Sequence, residues 1–236
     1  MAAASTSSGP TREPAARVNL KLLQLVSPTL PVGAYSYSQG LEAAVESGEI
    51  RDASSAARWI GDVMELSLSG MEAPVFLRLA EAWRCGDGAA LARWNAELVA
   101  SREGAELRAE TLQMGYSMRR LAHELAIAGA EALDAIEELA YPTAFTFAVA
   151  AWQVDAREAL AAYLFAWAEN QVLAALKSVP LGQADGQRML LAIAARIPGV
   201  VERASSLGDG ELFNFAPGFA LAASRHESQY SRIFRS

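Results

Sequence analysis

The apolar positions of the chain recur with helical spacing from Leu41 almost to the end of the sequence. The longest such stripe consists of Leu107, Thr111, Met114, Met118, Leu121 and Leu125. This spacing places side chains on one face of an α-helix. Charged residues such as Glu106 and Glu110 fall largely outside it and are predicted to point away from the core. No stretch alternates apolar and polar residues for long, so the pattern predicts an all-α chain.

The same periodicity predicts eleven helices of short to medium length. They cover residues 41–47, 54–68, 73–84, 89–101, 102–128, 131–140, 144–152, 156–178, 184–196, 199–206 and 211–224. The helix at 156–178 has the clearest ends. Asp155 precedes it and Glu158 follows three positions later, which is the spacing of a capping box, and Pro180 blocks its continuation. We expect these helices to surround a single core in one globular domain.

Three parts of the chain differ in composition. Residues 1–16 are small and polar, with no basic start leading into an apolar block. They are predicted to form a disordered leader rather than a signal peptide. Residues 17–224 are predicted to form the all-helical domain. Residues 225–236 form a basic tail, RHESQYSRIFRS, with three arginines and one glutamate in an otherwise acidic chain.

The tail carries three large apolar side chains, Tyr230, Ile233 and Phe234, which a purely solvated segment does not need. Two interpretations are open. A flexible tail of this composition could be ordered by a partner, with aromatic side chains filling pockets and arginines pairing with carboxylates. Alternatively, the tail packs back onto the acidic body of its own chain.

The composition excludes several classes of protein. The chain has 236 residues, 52% of them hydrophobic, and its 20 Lys and Arg against 27 Asp and Glu give a net charge of −7. This acidity argues against nucleic-acid binding, which relies on clustered positive charge. One cysteine and two distant histidines provide neither a disulfide nor a metal-ligand cluster. The longest apolar run, residues 159–168, is shorter than the roughly 20 residues of a membrane span. We expect a cytoplasmic protein without membrane anchor, cofactor or metal site.

No catalytic constellation is present in the sequence. The two lysines, Lys21 and Lys177, do not lie in a Gly-x-x-x-x-Gly-Lys-Ser/Thr loop, so a Walker nucleotide site is excluded. His123 is interpreted as structural, and His226 stands alone in the tail. A carboxylate cluster is interpreted as a solvated helix face; it comprises Asp134, Glu137 and Glu138.

Two internal segments are not explained by helix packing. Residues 30–40 combine prolines with a run of tyrosines and serines, which predicts a shaped surface loop. Residues 177–187 read KSVPLGQADGQ and place Lys177 at a helix end before two Gly-Gln pairs. A cation at a helix C-terminus is stabilised by the helix dipole, so Lys177 also has a purely structural explanation. With the tail, these segments are predicted to form recognition surface, because loops and helix ends commonly carry function.

In these three segments the chain resembles the UreF family of urease accessory proteins. The matching stretches are residues 22–48, 169–190 and 226–236, in the order of the family, whereas residues 51–153 match only as generic helices. Two departures occur in the loop. Ala34 stands where a second glycine is expected. Gln39 stands where some members carry histidine, which argues against a metal role at this position.

The resemblance implies a non-enzymatic scaffold or chaperone in the insertion of nickel into urease. It implies a homodimer that bridges UreD (also called UreH) and the nickel-carrying GTPase UreG and acts on the urease apoprotein, with nickel handled by the complex. The implied partner-binding tail residues are Gln229, Tyr230, Ser231, Arg232, Phe234 and Arg235. The implied GTPase-facing turn contains Lys177, Gly182, Gln183, Gly186 and Gln187. The implied functional loop contains Pro31, Gly33, Tyr35, Ser36 and Tyr37.

Two other functions are consistent with the residues. One is a helical adaptor outside the urease pathway. The other is an enzyme acting on a small molecule with Lys177 as an electrostatic or nucleophilic group. The sequence around Lys177 contains no paired acid and base, which disfavours the enzyme.

Overall fold

The computed structural model describes residues 19–236, in which eleven α-helices and no β-strand are found. The predicted all-α fold and its single domain are confirmed, and the predicted leader, residues 1–16, lies outside the described residues. In chain order the α-helices are Leu20–Leu25 (α1), Leu41–Glu46 (α2), Ala53–Val63 (α3), Glu72–Cys85 (α4), Gly88–Ala100 (α5), Ala105–Glu124 (α6), Tyr141–Ala151 (α7), Ala156–Ser178 (α8), Gln183–Ala194 (α9), Ile197–Ser206 (α10) and Pro217–Glu227 (α11). The shorter elements are the 3-10 helices Ala34–Ser36, Ala130–Ala135 and Asp209–Glu211 and the π-helix Met64–Leu68.

The core lies between α4, α7 and α8. Helices α3 and α9 pack along α8, α5 packs against α4, and α6 packs against α7. Aromatic rings fill the centre: the ring of Tyr163 on α8 lies 5.2 Å from the rings of Phe76 and Phe145, which are fully buried. Tilted and edge-to-face ring pairs at this distance stabilise the core beyond simple burial. The cluster also brings the Tyr163 hydroxyl into the interior.

Helix α8 begins and ends where the sequence predicts. The carboxylate of Asp155 accepts hydrogen bonds from the main-chain amides of Arg157 and Glu158, both at 2.9 Å.

Among residues 19–236, α8 is the one helix long and apolar enough to cross a membrane, and half of its most apolar stretch is buried against other helices. A core helix has this same composition. Its last turn carries Lys177.

The predicted helix at residues 131–140 is wrong. Only the 3-10 helix Ala130–Ala135 forms, because side chains satisfy the following main chain in place of helical hydrogen bonds. The Asn95 side-chain amide donates to the carbonyl of Glu138 at 2.8 Å, and its oxygen accepts from the amide of Ala140 at 3.0 Å. The carboxylates interpreted as a solvated face are nevertheless exposed; they are Asp134, Glu137 and Glu138.

The predicted helix at residues 211–224 starts late, at Pro217. The main chain before it is held by the turn that precedes α4, because the amide of Phe213 donates to the carbonyl of Gly70 in this turn at 3.0 Å. A Cβ on Gly70 would lie 2.4 Å from the Phe213 oxygen, so only glycine permits this approach. Helix α11 then continues to Glu227 and includes the first residues of the predicted tail.

Candidate functional site

The tail is docked on the body of the protein. Phe234 and Ser236 are only 5% and 2% exposed. The expectation of a flexible tail is therefore wrong, and the alternative that the tail packs back onto its own acidic body is confirmed. The physical reason is that carboxylates from α2 and α6 accept hydrogen bonds from main-chain amides of the tail and from the side chain of Arg232.

Glu42 on α2 is the main anchor of the docked tail. Its Oε1 accepts the amide of Ile233 at 2.7 Å, and its Oε2 accepts the amide of Phe234 at 3.0 Å. The Glu42 side chain is only 8% exposed, and a buried carboxylate is stable only when donors surround it. Glu106 on α6 adds an ion pair with Arg232 at 2.5 Å. The two carboxylates thus hold three consecutive tail residues.

The loop at residues 30–40 supplies the rest of the docking surface. The amides of Ser38 and Gln39 donate to the main-chain oxygen of Ser236 at 2.6 and 2.9 Å, and the Ser38 hydroxyl donates to the same atom at 2.7 Å. Gln39 and Gly40 both have positive φ, 52° and 78°. Successive amides in such a turn form a concavity that binds a negatively polarised oxygen. We call the surface formed by Ser38, Gln39, Glu42, Glu106 and Glu110 the tail cradle.

Gly40 allows α11 to approach the tail cradle. A Cβ at this position would lie 2.8 Å from the amide nitrogen of Ala223. Gly40→Ala should therefore lower the free energy of unfolding by about 2–3 kcal/mol, through backbone strain and overpacking together. Urea unfolding followed by circular dichroism measures the change. Gly48→Ala is the matched control, because Gly48 has the same φ of +78° with open space around it, and about 1 kcal/mol should be lost there. Equal losses would contradict the importance of the Ala223 contact.

Glu110 links the tail to the protein interior. It points inward from α6 and is 6% exposed, so its predicted outward position is wrong. Its carboxylate accepts from Gln39 Nε2 at 2.7 Å and from the Ser236 hydroxyl at 2.6 Å. Gln39 is held in turn by the indole N–H of Trp167, which donates to Gln39 Oε1 at 2.7 Å. Burial raises the pKa of Glu110 to about 7, and the hydrogen bonds from Ser236 and Gln39 limit the rise.

A cavity of about 80 Å³ lies beside Glu110 and is lined by further buried polar groups. Glu72 on α4 forms an ion pair with Arg102 and accepts the Tyr163 hydroxyl at 2.6 Å. Burial, together with the Glu72 charge, raises the pKa of Tyr163 well above its usual value, so this hydroxyl stays a donor. The volume is sufficient for water molecules to bind between these groups.

The prediction that His226 stands alone is wrong, because its ring faces two carboxylates. The ring is completely buried, with Nδ1 2.6 Å from Glu106 Oε2 and Nε2 3.3 Å from Glu42 Oε2. His123 is partly exposed and lies 3.1 Å from Asp134, which agrees with a structural role. Within residues 19–236, no group of three or more His, Cys, Asp or Glu side chains is arranged to hold a metal ion.

Lys177 connects the predicted GTPase-facing turn to the tail. Its Nζ lies 5.3 Å from the centroid of the Phe234 ring, on the surface of the molecule. An ammonium group at this distance over an aromatic face is attracted to the ring. The structure therefore brings Lys177, the tail and the loop at residues 30–40 together at one site.

The rest of the turn forms the beginning of α9. Gly186 is buried, and a Cβ there would lie 2.7 Å from a methyl group of Leu176. Gly182 is exposed and its amide donates to the carboxylate of Asp185 at 3.0 Å. The predicted surface residues Gln183 and Gln187 are exposed. These residues make no contact with the tail comparable to that of Lys177.

The docked tail and loop each divide into inward and outward side chains. In the tail, Tyr230 is fully exposed and Ile233 is 64% exposed, in contrast to Phe234. In the loop, Tyr35 is 64% exposed, whereas Tyr37 is buried and its burial raises the pKa of the phenol. The other predicted residues of the two segments stabilise their main chain. The Ser36 carbonyl accepts the Arg235 amide at 2.8 Å, and Gln229 Nε2 donates to the Ser231 carbonyl at 3.1 Å. In the loop, the exposed Pro31 lies two residues before Gly33, which has a φ of +81°.

Sequence reasoning missed the acidic residues of the tail cradle. Glu42 lies in the run Leu41–Glu46 next to three apolar residues, Leu41, Ala43 and Ala44, and this apolar setting was the available signal for an inward carboxylate. Glu110 directly precedes Thr111 of the apolar stripe and gave a weaker signal. Neither residue could be paired with the tail by local spacing.

Comparison with known proteins finds one family, with relatives that are similar to this chain over most of its length. Residues 50–194 match the UreF family model. Urease accessory protein UreF of Azoarcus sp. (strain BH72) is 56% identical over 222 residues, which cover 92% of this chain and 95% of that protein. Urease accessory protein UreF of Dechloromonas aromatica (strain RCB) is 54% identical over 220 residues, covering 92% and 96%. The chain therefore belongs to the UreF family of urease accessory proteins.

Proposed function

We propose that this protein is a non-enzymatic scaffold for urease maturation in the cytoplasm. A homodimer binds UreD (UreH) and the GTPase UreG, modulates the GTPase, and promotes GTP-dependent delivery of nickel to the urease apoprotein. Membership of the UreF family supports the role in maturation. The observation that carries the proposal is the docked tail, which turns Tyr230 and Ile233 outward while Phe234 contacts Lys177.

The outward side chains of the tail have the chemistry of a protein-binding surface. Tyr230 and Ile233 are large and apolar, and exposed side chains of this kind commonly form the centre of an interface. Arg225 and Arg235 are exposed in the same segment. Their positive charge favours carboxylates on the partner, and the two apolar side chains favour apolar pockets beside those carboxylates.

The double variant Tyr230→Ala/Ile233→Ala removes both outward side chains of the tail. It should weaken binding to at least one of UreD, UreG and apo-urease by about tenfold or more, because a loss of this size is typical of interface anchors. The fold should be unchanged, because both side chains are exposed. Titration of each purified partner by calorimetry measures the affinities. Tyr116→Ala on α6 is the matched control, since Tyr116 is an exposed tyrosine distant in sequence from the tail. Unchanged affinity for all three partners would refute this use of the tail.

Lys177→Ala should change the GTP hydrolysis rate of UreG in the complex by about fivefold or more, as expected for a typical coupling between two binding partners. The change is measured with reconstituted complexes at saturating scaffold. Lys21→Ala is the matched control, because Lys21 is the other lysine of the chain and also lies over an aromatic ring, 5.6 Å from the centroid of Trp152. If hydrolysis, nickel release and UreG binding all match those of the Lys21 variant, the turn at residues 177–187 does not face the GTPase.

A further inference from the structure

The ring of His226 is enclosed by two helices and the docked tail. Nδ1 faces Glu106 of α6 at 2.6 Å, and Nε2 faces Glu42 of α2 at 3.3 Å. The side chain is 0% exposed, so water does not complete its hydrogen bonding. On its own helix, Glu227 is turned away from the ring, because its carboxylate accepts the amide of Ala105 at 2.7 Å. Arg225 on the same helix is exposed.

The two carboxylates that face His226 also hold the tail. Glu42 Oε2 is shared, since it faces His226 Nε2 and also accepts the amide of Phe234 at 3.0 Å. Glu106 uses its other oxygen to bind Arg232 at 2.5 Å. A change in the charge of the ring therefore acts on atoms that contact the tail directly.

A doubly protonated ring can donate to both carboxylates at once. A neutral imidazole donates from one nitrogen and presents a lone pair at the other. One of the two carboxylates would then face a lone pair inside the protein. With the ring protonated, the positive charges of His226 and Arg232 balance the negative charges of Glu42 and Glu106. Without that proton, an uncompensated buried charge destabilises the cluster.

We propose that His226 is a proton-dependent latch for residues 232–234 of the tail. The protonated ring holds Glu42 and Glu106 in the positions that bind the tail, and loss of the proton loosens the segment while α11 stays folded. Histidine is the side chain whose charge ordinarily changes between about pH 5 and 8, so the latch is tested across this range of pH. This inference concerns the chain alone and does not depend on the proposed partners.

Two other charged groups contact the docked tail and have to be separated from the latch. Lys177 of α8 lies over the Phe234 ring. Glu110 of α6 binds the Ser236 hydroxyl and changes its own charge near neutrality. The latch is therefore measured at Ile233 and Phe234, whose amides bind Glu42, and not at Ser236.

Amide hydrogen exchange of the full chain, corrected for the intrinsic effect of pH, tests the latch. The protection of the Ile233 and Phe234 amides should fall by about tenfold or more between about pH 5.5 and pH 8.5, the factor expected when a hydrogen bond to a charged group is lost. The amide of Ala223 in α11 should keep its protection. Equal protection of the two tail amides at both pH values would overturn the proposal.

Three variants assign the effect to one residue. In His226→Gln, the protection should be low and independent of pH, because glutamine stays neutral. His123→Gln, at the partly exposed histidine, and Glu110→Gln should both retain the pH dependence of the original chain. Persistence of that dependence in His226→Gln would overturn the proposal. If His226→Gln does not fold, NMR of the original chain labelled with ¹⁵N-histidine decides. Two protonated ring nitrogens should accompany protected tail amides, and a neutral ring with protected amides would refute the latch.

Discussion

Arg102→Met should lower the free energy of unfolding by about 3 kcal/mol, because it leaves the buried carboxylate of Glu72 without its charge partner. Glu72 is 8% exposed at its side chain and Arg102 is 20% exposed, and a water molecule in the neighbouring cavity carries no charge to replace the lost guanidinium. The Tyr163 hydroxyl remains as a single donor to Glu72, which is insufficient for a full charge inside the protein. Urea unfolding at neutral pH measures the loss.

Two further variants separate this effect from the loss of a long side chain. Glu72→Gln combined with Arg102→Met should recover most of the stability, because the amide oxygen still accepts from Tyr163 and no charge is buried. Arg108→Met is the surface control. Its partner Glu138 is 53% exposed, and the loss should be below about 1 kcal/mol. Similar losses for Arg102→Met and Arg108→Met would show that the interior pair is solvated like a surface pair.

The helices that were predicted correctly depend on neighbours a few residues away. Helix α8 illustrates this: an aspartate at its start, a proline after its end and apolar residues between them are all local features. The failure at residues 131–140 has the opposite origin. There the side chain of Asn95, more than forty positions earlier, takes the hydrogen bonds of the main chain.

The tail cradle was not predictable for the same physical reason. Glu42 binds residues 233 and 234, and Glu110 binds Ser236, across 126 or more positions of sequence. Local spacing gave Glu110 the ordinary outward position of a charged residue on an amphipathic helix. The sequence did identify the tail, the loop and Lys177 as unusual. That they form one site depends on tertiary packing alone.

The stability of the protein should fall as pH rises from about 5 to about 7, with Glu110 contributing about 3 kcal/mol to this fall. Burial raises the pKa of Glu110 to about 7 in the folded protein from an ordinary value of 4.5. Between these values the folded chain holds a proton that the unfolded chain has lost, so each unit of pH destabilises the fold by about 1.4 kcal/mol. Below pH 4.5 the contribution of Glu110 is fully present, and above about pH 7 it is lost. Urea unfolding at a series of pH values measures this slope.

Glu110→Gln should remove this part of the slope and make the protein more stable than the original chain at pH values above about 7. Both hydrogen bonds can persist, because the amide oxygen accepts from Gln39 and the Ser236 hydroxyl turns to accept from the amide nitrogen. Glu103→Gln, at an exposed glutamate before α6, should leave the slope unchanged, and an unaltered slope in Glu110→Gln would contradict the assignment. The hydrogen bonds from Ser236 and Gln39 favour the charged form of Glu110. Rising pH therefore strengthens the contact at Ser236 while the proposed latch weakens at residues 232–234. The amides of Ser38 and Gln39, which donate to the Ser236 main-chain oxygen, should then gain protection from exchange while those of Ile233 and Phe234 lose it.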